Sequence, residues 1–409
     1  MKIHGKYNRE MTPHSNIEHS HLIGQYVGYA NGPTLMIFGS VHGNEIAGKQ
    51  ALIRVSERLR NGEFQLSGRI YFFVGNRRAV EKGVRFIDSD LNRHWTAENI
   101  ERNTNGRVES GPGLSEDREQ AELLASIIPI LETANDEVYA VDLHSTSAEG
   151  VPFATVGDTL RNRAFAQKFP VTILLGIEEQ LEGTLLEFLN NQGAVTLGYE
   201  GGQHFAATTI ETHEALVWRA LVNAGIIEER TELRDFHERL KTVTGRPRIV
   251  EIRYRHAITE ESRFEMLPGF TNFDPIRKRQ LLAKDAHGKV AAGESGLMLM
   301  PLYQKLGEDG FFIGREVSPF WIWLSGVLRR LHVGNIMHLL PGVSETQNNP
   351  DVLLINTTVA RFFPLQIFHL LGFRKLRWVD RFLVVSRRKF DTFSPFVRRA
   401  TETSPKNAL

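Results

Sequence analysis

Short apolar runs alternate with longer amphipathic stretches along the first 240 residues. The run at 33–40 is apolar, has the length of a strand and is bounded by proline and glycine, which predicts a buried strand. Asn44 then precedes the stretch 45–60, whose apolar residues fall on one face, which predicts an amphipathic helix with Asn44 as its N-cap. The same pattern predicts further strands at 69–75, 137–143 and 193–199. This alternation is typical of an α/β domain.

The pattern changes after residue 240. Residues 206–240 carry helical patterning, and 244–247 (Thr-Gly-Arg-Pro) has the composition of a linker. Short β-type runs then follow at 249–254, 296–301 and 311–314, with a turn at 285–288. We therefore predict an α/β domain over residues 1–240 and a small β-sandwich or barrel over residues 246–316.

Residues 317–409 predict a third region. They contain an apolar helix at 319–330, a loop at 347–350, a helix near 363–371, and strands at 352–355 and 382–385. Residues 374–399 hold nine Arg or Lys and two Asp, and such a basic segment beside exposed aromatic residues can bind anionic lipid or nucleic acid. We favour a small α/β appendage of unknown role that packs Trp321 and Trp323 into its core and solvates its arginines.

Histidines and a carboxylate follow two of the predicted strands. His42-Gly-Asn-Glu45 comes directly after the strand at 33–40, and His144 ends the strand at 137–143. Ligands of open α/β sheets bind at the carboxyl ends of the strands. Two imidazoles and a carboxylate can hold Zn²⁺ and leave its fourth position open, which favours His42, Glu45 and His144 as metal ligands. The alternatives are that Glu45 complements its helix dipole and that His144 bonds a neighbouring loop.

Asp142 lies two residues before His144, so on an extended strand both side chains point to the same side. A carboxylate beside a metal site commonly accepts the free ring N–H of a ligating histidine. We predict that Asp142 does so, toward His42. The alternative is that Asp142 is a turn residue.

The segment Arg85-Phe-Ile-Asp88-Ser-Asp90-Leu-Asn92-Arg93 is densely polar and predicts a loop after the strand at 69–75. Asn92 and Arg93 can clamp a carboxylate, because a guanidinium donates paired hydrogen bonds in one plane. Arg85 could reach back to the metal and polarise a scissile carbonyl. The alternative is a solvated loop whose aspartates and arginines pair with each other.

The four signals in this order resemble the succinylglutamate desuccinylase/aspartoacylase family, a branch of the zinc carboxypeptidase superfamily. The motifs cover roughly residues 30–205, and the resemblance extends more loosely to about 316. It implies a zinc-carboxypeptidase-like α/β fold, a mixed sheet flanked by helices and followed by a small β domain. It also implies one zinc ion per protomer, held by His42, Glu45 and His144.

The resemblance further implies Glu200 as the base, Arg85 as the carbonyl polariser, and Asn92 and Arg93 as the clamp on a substrate carboxylate. Glu200 ends the predicted strand at 193–199 before two glycines, which suits a base facing a small substrate. Three other glutamates are rivals in helical or loop-like surroundings: Glu178, Glu179 and Glu187. Candidates for binding the acyl part of the substrate are Arg161, Arg163 and, more weakly, Tyr303.

The implied reaction is hydrolysis of the amide bond of an N-acyl amino acid by metal-activated water, with no covalent enzyme intermediate. The alternative is a zinc carboxypeptidase acting on peptide C-termini, which needs a longer and more open cleft. A third hypothesis, a non-catalytic binding protein whose tail carries the function, is disfavoured because every expected catalytic position is intact.

Composition agrees with a cytoplasmic enzyme acting on a small molecule. A net charge of +1 argues against a general nucleic-acid binder, and the absence of cysteine excludes disulfides and thiolate metal sites. The N-terminus has no apolar signal-peptide core, and no apolar run has the length of a membrane span. His14, His19 and His21 predict a mobile arm rather than a second metal site. Whether the chain forms a homo-oligomer stays open.

Overall fold

The structure is a computed structural model that describes residues 20–104, 114–177, 180–304, 307–346, 349–356, 358–359, 365–379 and 382–397. The strands are β1 (Leu22–Val27), β2 (Ala30–Gly39), β3 (Ser67–Val74), β4 (Val138–Thr146), β5 (Phe153–Val156), β6 (Thr172–Leu175), β7 (Val195–Gln203), β8 (Ile249–Ala257), β9 (Glu265–Met266), β10 (Pro275–Ile276), β11 (Leu281–Asp285), β12 (Gly288–Ala291), β13 (Gly296–Leu299), β14 (Asp309–Glu316), β15 (Val343–Thr346), β16 (Asn349–Asn356), β17 (Phe373–Val379) and β18 (Phe382–Arg387). The α-helices are α1 (Ile46–Arg60), α2 (Arg77–Lys82), α3 (Ala97–Thr104), α4 (Ser115–Glu132), α5 (Leu160–Ala166), α6 (Leu185–Asn191), α7 (Ala207–Asn223), α8 (Thr231–Thr244), α9 (Pro319–Arg330) and α10 (Leu365–Leu370). Short 3-10 helices lie at Leu91–Arg93, Glu260–Ser262 and Val333–Leu339.

An eleven-stranded sheet runs through the described part of the chain in the order β1-β3-β2-β4-β7-β5-β6-β8-β14-β13-β10. Strands β3, β2, β4 and β7 are parallel neighbours. Strand β5 joins β7 in the antiparallel sense and begins a second parallel set with β6 and β8. Helices cover both faces of this sheet, so the predicted mixed sheet flanked by helices is confirmed.

Strand β2 is apolar at successive positions because both of its faces are buried. Leu35 and Ile37 lie in the hydrophobic cluster on one face of the sheet, and Met36 and Phe38 lie in the cluster on the other. Side chains alternate between the faces of a strand, and a strand covered on both sides is therefore apolar throughout. The predicted buried strand at 33–40 is confirmed.

The region after residue 248 extends the main sheet. Strands β8, β14, β13 and β10 continue it in antiparallel order, while β9, β11 and β12 form a separate three-stranded sheet. One hydrophobic cluster joins the two layers, with Met266 and Leu282 from the small sheet and Met298 and Ile313 from the large one. The expected small sandwich thus shares one layer with the main sheet, and the boundary between 240 and 246 stays a prediction.

The C-terminal region has a core of its own. Strands β15, β16, β18 and β17 form a four-stranded antiparallel sheet beside α9 and α10. A separate hydrophobic cluster, including Leu353, Phe368 and Val385, fills the space between them. The predicted helices and strands of this appendage are confirmed. In the predicted loop at 347–350, residues 347 and 348 lie outside the described residues, and β16 already begins at Asn349.

Two details of that appendage were predicted wrongly. Trp321 and Trp323 are 48% and 60% exposed rather than packed in a core. The inward face of α9 instead carries Ile322, Ser325 and Arg329, which are three and four residues apart and so share one side of a helix.

The arginines of the appendage are not all solvated, because several pair with buried acids. Asp158, in the loop before α5, is 2% exposed and accepts hydrogen bonds from Arg163 (2.8 Å) and Arg329 (3.1 Å). Arg374 pairs with the same carboxylate, and Arg329 also donates to Asp391 at 2.9 Å. A buried charge network therefore joins α9 and β17 to the main domain.

The start of the described chain corrects another prediction. His21 is 4% exposed, its Nδ1 lies 2.8 Å from the carbonyl oxygen of Val74, and its Nε2 lies 3.1 Å from Glu122. It is part of the packed domain rather than of a mobile arm, while His14 and His19 lie outside the described residues. Of the helices described, none is long and apolar enough to cross a membrane.

Candidate active site

Three neighbouring parallel strands bring the predicted site residues to one edge of the sheet. His42 follows β2, and Gly39 at the end of β2 pairs with Leu143 of β4. His144 of β4 in turn pairs with Glu200 of β7. The carboxyl ends of the three strands therefore meet, which is where open α/β sheets bind ligands.

His42, Glu45 and His144 form a compact cluster. Nδ1 of His42 lies 2.8 Å from Oε1 of Glu45, and Nδ1 of His144 lies 3.1 Å from Oε2 of Glu45. One ligand atom from each residue falls within 4.8 Å of the others, and all three residues are buried. Two imidazole nitrogens and a carboxylate oxygen at this spacing can hold a divalent metal ion such as zinc.

The second ring nitrogen of each histidine contacts another carboxylate. Asp142, which is fully buried, lies 2.7 Å from Nε2 of His144, while Asp90 lies 3.1 Å from Nε2 of His42. The prediction that Asp142 contacts His42 was therefore wrong, because side chains two apart on β4 lie on the same side and meet each other. The sequence argument missed Asp90, although it lies inside the polar motif. Such contacts fix the ring orientation of metal-binding histidines.

Helix α1 starts one residue later than predicted, with Glu45 rather than Asn44 at its N-cap. The Glu45 side chain makes no capping hydrogen bond, because its carboxylate accepts from the backbone N–H of Ser145 (2.9 Å) and contacts both histidines. Burial raises the pKa of Glu45, but its electrostatic interactions and hydrogen bonds with His42 and His144 outweigh burial and hold that pKa well below its usual value. Glu45 is therefore an anion, as a metal ligand must be.

Glu200 lies beside this cluster with one carboxyl oxygen, Oε2, buried and without a hydrogen-bond partner among the described residues. Burial is the main effect that raises the pKa of Glu200 to about 7, and the negative charge of Glu45 adds to it. The next residue, Gly201, allows a close approach, since a Cβ there would lie 2.3 Å from the ring of His213. His213 in turn donates from Nε2 to the carbonyl oxygen of His144 at 2.8 Å.

The polar motif at 85–93 forms a loop that ends in the 3-10 helix Leu91–Arg93. Glu116 of α4, fully buried, accepts from the backbone N–H groups of Ile87 (2.8 Å) and Asp88 (3.1 Å) and so fixes the loop. Arg85 lies against the cluster, 3.3 Å from Glu45 and 3.2 Å from Asp90. Arg85 thus lies beside the candidate metal ligands, while its action on a carbonyl group stays a prediction.

Asn92 and Arg93 lie at the wall of the same cavity. Asn92 accepts from the backbone N–H of Leu185 at 3.0 Å through Oδ1, which leaves its amide NH₂ to donate to a ligand. Arg93 lies 3.4 Å from Asp309 and 3.7 Å from Glu308. Glu308 and the first residue of β14, Asp309, therefore supply acids that neutralise Arg93, which the sequence did not reveal.

The cavity has a volume of about 170 Å³. One part of its wall is polar and carries the residues described above. Another part belongs to a hydrophobic cluster shared by the main domain and the region after 248, with Ile177, Leu181, Met300 and Phe312 on the cavity side. Residues from 300–304 and 307–309 thus narrow the cavity from one side.

The candidates for binding the acyl part of a substrate do not line this cavity. Arg163 donates to Asp158 and to Ser325 of α9, so it contributes to the contact with the C-terminal appendage. Arg161 pairs with Glu137, which lies just before β4. The hydroxyl of Tyr303 donates to the carbonyl oxygens of Leu267 and Phe270.

The rival bases are placed as follows. Glu187 lies in the first turn of α6 and accepts from the backbone N–H of Gly183 at 3.2 Å, while Glu178 and Glu179 lie outside the described residues. Ser145 and His204 also line the cavity, and the sequence argument missed both. Only their nearness to His144 and Glu200 in the sequence could have suggested them.

Comparisons with known proteins lead to one family. Residues 31–223 match the model of the succinylglutamate desuccinylase/aspartoacylase catalytic domain. A succinylglutamate desuccinylase of Pseudomonas paraeruginosa (strain DSM 24068 / PA7) is 37% identical over 83 residues, which are 20% of this chain and 22% of that protein. An aspartoacylase of Xenopus tropicalis is 35% identical over 116 residues, 27% of this chain and 34% of that protein. The matched segments thus span about a fifth to a third of these relatives.

A solved structure shares the fold over a larger part of the chain. The succinylglutamate desuccinylase/aspartoacylase of Rhodobacter sphaeroides aligns with a TM-score of 0.54 at 18% identity, covering 73% of this chain and 88% of that one. At this identity the likeness concerns the fold alone.

Proposed function

Residues 31–223 of this chain are a catalytic domain of the succinylglutamate desuccinylase/aspartoacylase family, and from this membership we propose that the protein is a zinc-dependent hydrolase of N-acyl amino acids. The bond cleaved is the amide between the acyl group and the amino acid. One observation carries the proposal: a two-histidine, one-glutamate cluster lies beside a buried carboxyl group at the edge of a narrow cavity.

The residues present fit a zinc ion. His42 and His144 both direct Nδ1 toward Glu45 and both contact a carboxylate through Nε2, which suits neutral imidazole ligands with a fixed tautomer. When bound, zinc would supply a Lewis acid that lowers the pKa of water and polarises a carbonyl group.

Glu200 is the proposed base. Its pKa of about 7 lies near the operating pH, where a general base is most effective. A cation bound by the neighbouring ligands would lower that pKa and favour the carboxylate form. Glu200 would accept a proton from the attacking water and return it to the departing amine.

Arg85 is the proposed oxyanion stabiliser. Its guanidinium lies at the metal ligands, within 3.3 Å of Glu45 and 3.2 Å of Asp90. These two carboxylates hold the side chain in place, and a preorganised cation stabilises negative charge that develops on a carbonyl oxygen.

Asn92 and Arg93 are the proposed clamp on the carboxylate of the amino acid. Both residues line the cavity, and the hydrogen bond from Leu185 to Oδ1 of Asn92 leaves the amide NH₂ to donate. A substrate carboxylate would replace part of the attraction between Arg93 and the acids Glu308 and Asp309. These acids therefore weaken carboxylate binding and orient Arg93 before the substrate arrives.

The narrow cavity favours a small substrate over a peptide. Met300, Leu302, Gln304 and Asp309 lie on one side of it, together with Leu181 from the main domain. A carboxypeptidase needs an open cleft that accepts a chain of residues on the acyl side of the cleaved bond. The residues that line this side of the cavity would obstruct such a chain.

The proposal is tested by measuring amine release from zinc-loaded protein. The panel holds N-acetyl and N-succinyl derivatives of acidic and neutral amino acids beside dipeptides with the same C-terminal residue. We expect turnover of one or more N-acyl amino acids and slow or no turnover of dipeptides. Turnover of dipeptides alone would favour the carboxypeptidase, and no turnover of either class would reject a hydrolase of linear amides.

A further inference from the structure

A serine and a histidine that the proposed reaction does not use face the same cavity. Oγ of Ser145 lies 2.8 Å from Nδ1 of His204. Ser145 is 5% exposed and His204 is 7% exposed, and both line the cavity. Backbone hydrogen bonds also position both residues. The N–H of His204 donates to the carbonyl oxygen of Thr146 at 3.0 Å, and the N–H of Ser145 donates to the Glu45 carboxylate.

The serine fixes the tautomer of the histidine. Within the described chain, Nδ1 of His204 is the one hydrogen-bond partner of the Ser145 hydroxyl. A buried hydroxyl that does not donate is costly, so the O–H of Ser145 donates to Nδ1. The ring proton of neutral His204 then lies on Nε2.

Nε2 of His204 is buried and has no hydrogen-bond partner among the described residues. Burial lowers the pKa of His204, and Glu45 and the nearby side chain of Gln304 partly offset this effect. Gln304 therefore lies near the ring, although Nε2 has no paired atom within hydrogen-bond geometry in the described part of the chain. Buried donors are almost always paired in folded proteins, and an unpaired donor that faces a ligand cavity calls for a partner on the ligand.

We propose that His204, oriented by Ser145, is a specificity-determining residue that donates a hydrogen bond from Nε2 to an oxygen atom of the substrate's acyl chain, beyond the scissile amide. The inference rests on the proposed function. The amino-acid carboxylate is assigned to Asn92 and Arg93, on the loop at 85–93, whereas His204 follows β7 on a different element. The acyl chain is therefore the part of the substrate left for His204.

The preferred substrate class follows from this donor. It consists of N-acyl amino acids whose acyl chain ends in a carboxylate or a carboxamide, because both offer an acceptor oxygen. A plain alkyl chain of the same length would leave the His204 donor buried and unpaired. A site built to bond an oxygen rejects an analogue that lacks it.

The tautomer is tested first, without turnover, by ¹⁵N NMR of histidine-labelled, zinc-loaded protein. We expect His204 to carry its proton on Nε2 and the Ser145→Ala variant to lose this fixed tautomer. Added succinate should shift the Nε2 signal more than added butyrate, which has the same carbon chain with one carboxylate fewer. A proton on Nδ1, or equal shifts with both acids, would overturn the inference even if no amide substrate is found.

The specificity is tested by kcat/KM for one amino acid carrying N-succinyl, N-succinamyl or N-butyryl groups. We expect the parent to prefer the first two over butyryl by roughly tenfold to a hundredfold, the range of one buried hydrogen bond. His204→Asn keeps a partner for Ser145 but has no group at the Nε2 position, and it should lose this preference. His204→Gln places an amide near Nε2 and should keep most of it.

The outcomes separate two failures. A parent protein that hydrolyses no member of the series would reject the proposed function, and the NMR titration would still decide the role of His204. If the parent hydrolyses the series and His204→Asn lowers kcat/KM equally for all three substrates, His204 is a structural residue and the inference is overturned. A preference in His204→Asn equal to that of the parent would overturn it as well.

Discussion

Several polar side chains of the cavity use one atom to hold their position and leave another for a ligand. His144 contacts Asp142 through Nε2 and directs Nδ1 toward Glu45. Asn92 accepts from the backbone through Oδ1, and His204 contacts Ser145 through Nδ1. Each group is therefore oriented before a ligand binds, which reduces the reorganisation needed during reaction.

The sequence pointed to most of the residues of this candidate site, but not to all of them or to all of their contacts. His42, Glu45, His144 and Glu200 follow or end apolar runs, so strand topology alone brings them to one edge. The sequence does not encode which of two carboxylates meets which histidine, because that depends on the path of the loop at 85–93. His204 gave no signal, since a lone histidine after a strand has many structural roles.

The first prediction concerns the metal ligands. His144→Ala should remove most of the zinc from the purified protein, because two of the three protein ligands are too few to hold the ion in a catalytic site. Elemental analysis measures this directly. His287→Ala, at an exposed turn, is the control and should keep about one zinc per protomer. Full occupancy in His144→Ala would reject the ligand assignment.

The second prediction separates the base from the ligands. Glu200→Gln keeps the volume of the side chain but cannot accept a proton. Zinc content should stay close to that of the parent, while kcat falls by roughly 10²–10⁴-fold, as expected for loss of a general base. A loss of zinc would make Glu200 a ligand, and near-normal turnover would assign the proton transfer to another group.

The third prediction concerns the carboxylate clamp. Arg93→Lys keeps the charge but loses the planar pair of donors, so KM for an N-acyl amino acid should rise by about tenfold or more. The same substitution should matter little for an N-acyl amine that lacks the carboxylate. Unchanged kcat/KM for the carboxylate substrate would mean that the carboxylate binds elsewhere.

At the scale of elements, helix α9 shows where the pattern of apolar residues misleads. Its sequence is rich in large apolar side chains, yet Phe320, Trp321 and Trp323 are exposed and Arg329 is 5% exposed. The helix itself was predictable from its pattern and from the proline at its start. Its orientation was not, because the buried face is set by an acid, Asp158, that lies 171 residues away.

This contact gives the fourth prediction. Arg329→Ala leaves Asp158 buried with less positive charge, although Arg163 and Arg374 still pair with it. We therefore expect a loss of about 1–3 kcal/mol in the free energy of unfolding, as for lost hydrogen bonds to a buried charged group. The neighbouring Arg330 is exposed, and Arg330→Ala should change the stability by less than about 0.5 kcal/mol. Urea unfolding of the two variants measures the difference, and equal stabilities would contradict the proposed importance of the network.

At the scale of the whole molecule, the order of the strands was the least predictable part. The sequence indicates which segments are strands, but the addition of β8, β14, β13 and β10 to the main sheet depends on pairings between distant residues. The same pairings bring residues from 300–304 and 307–309 to the cavity. The region after residue 248 is thereby part of the candidate site. A β domain that folds separately from the main sheet would not have to contribute to the site.

The fifth prediction concerns stability and pH. Burial raises the pKa of Glu251, but His369 and Arg374 of the appendage outweigh burial and lower it from 4.5 to about 2. A carboxyl group whose pKa is lower in the folded state stabilises that state above its ordinary pKa, and this contribution is lost as the pH falls toward the folded value. We therefore expect the melting temperature to drop between about pH 4.5 and pH 2. The drop should be smaller in Glu251→Gln, and an identical pH profile in the two proteins would contradict this account.

The central claim is that one metal ion and the residues around it hydrolyse the amide bond of an N-acyl amino acid. Its most direct test is a titration of metal-depleted protein with zinc while release of the amine from an N-acyl amino acid is followed. We predict negligible release before zinc is added and a rise that saturates near one zinc per protomer. Release that is undiminished after the metal is removed, or that stays absent at every zinc concentration, would contradict the claim.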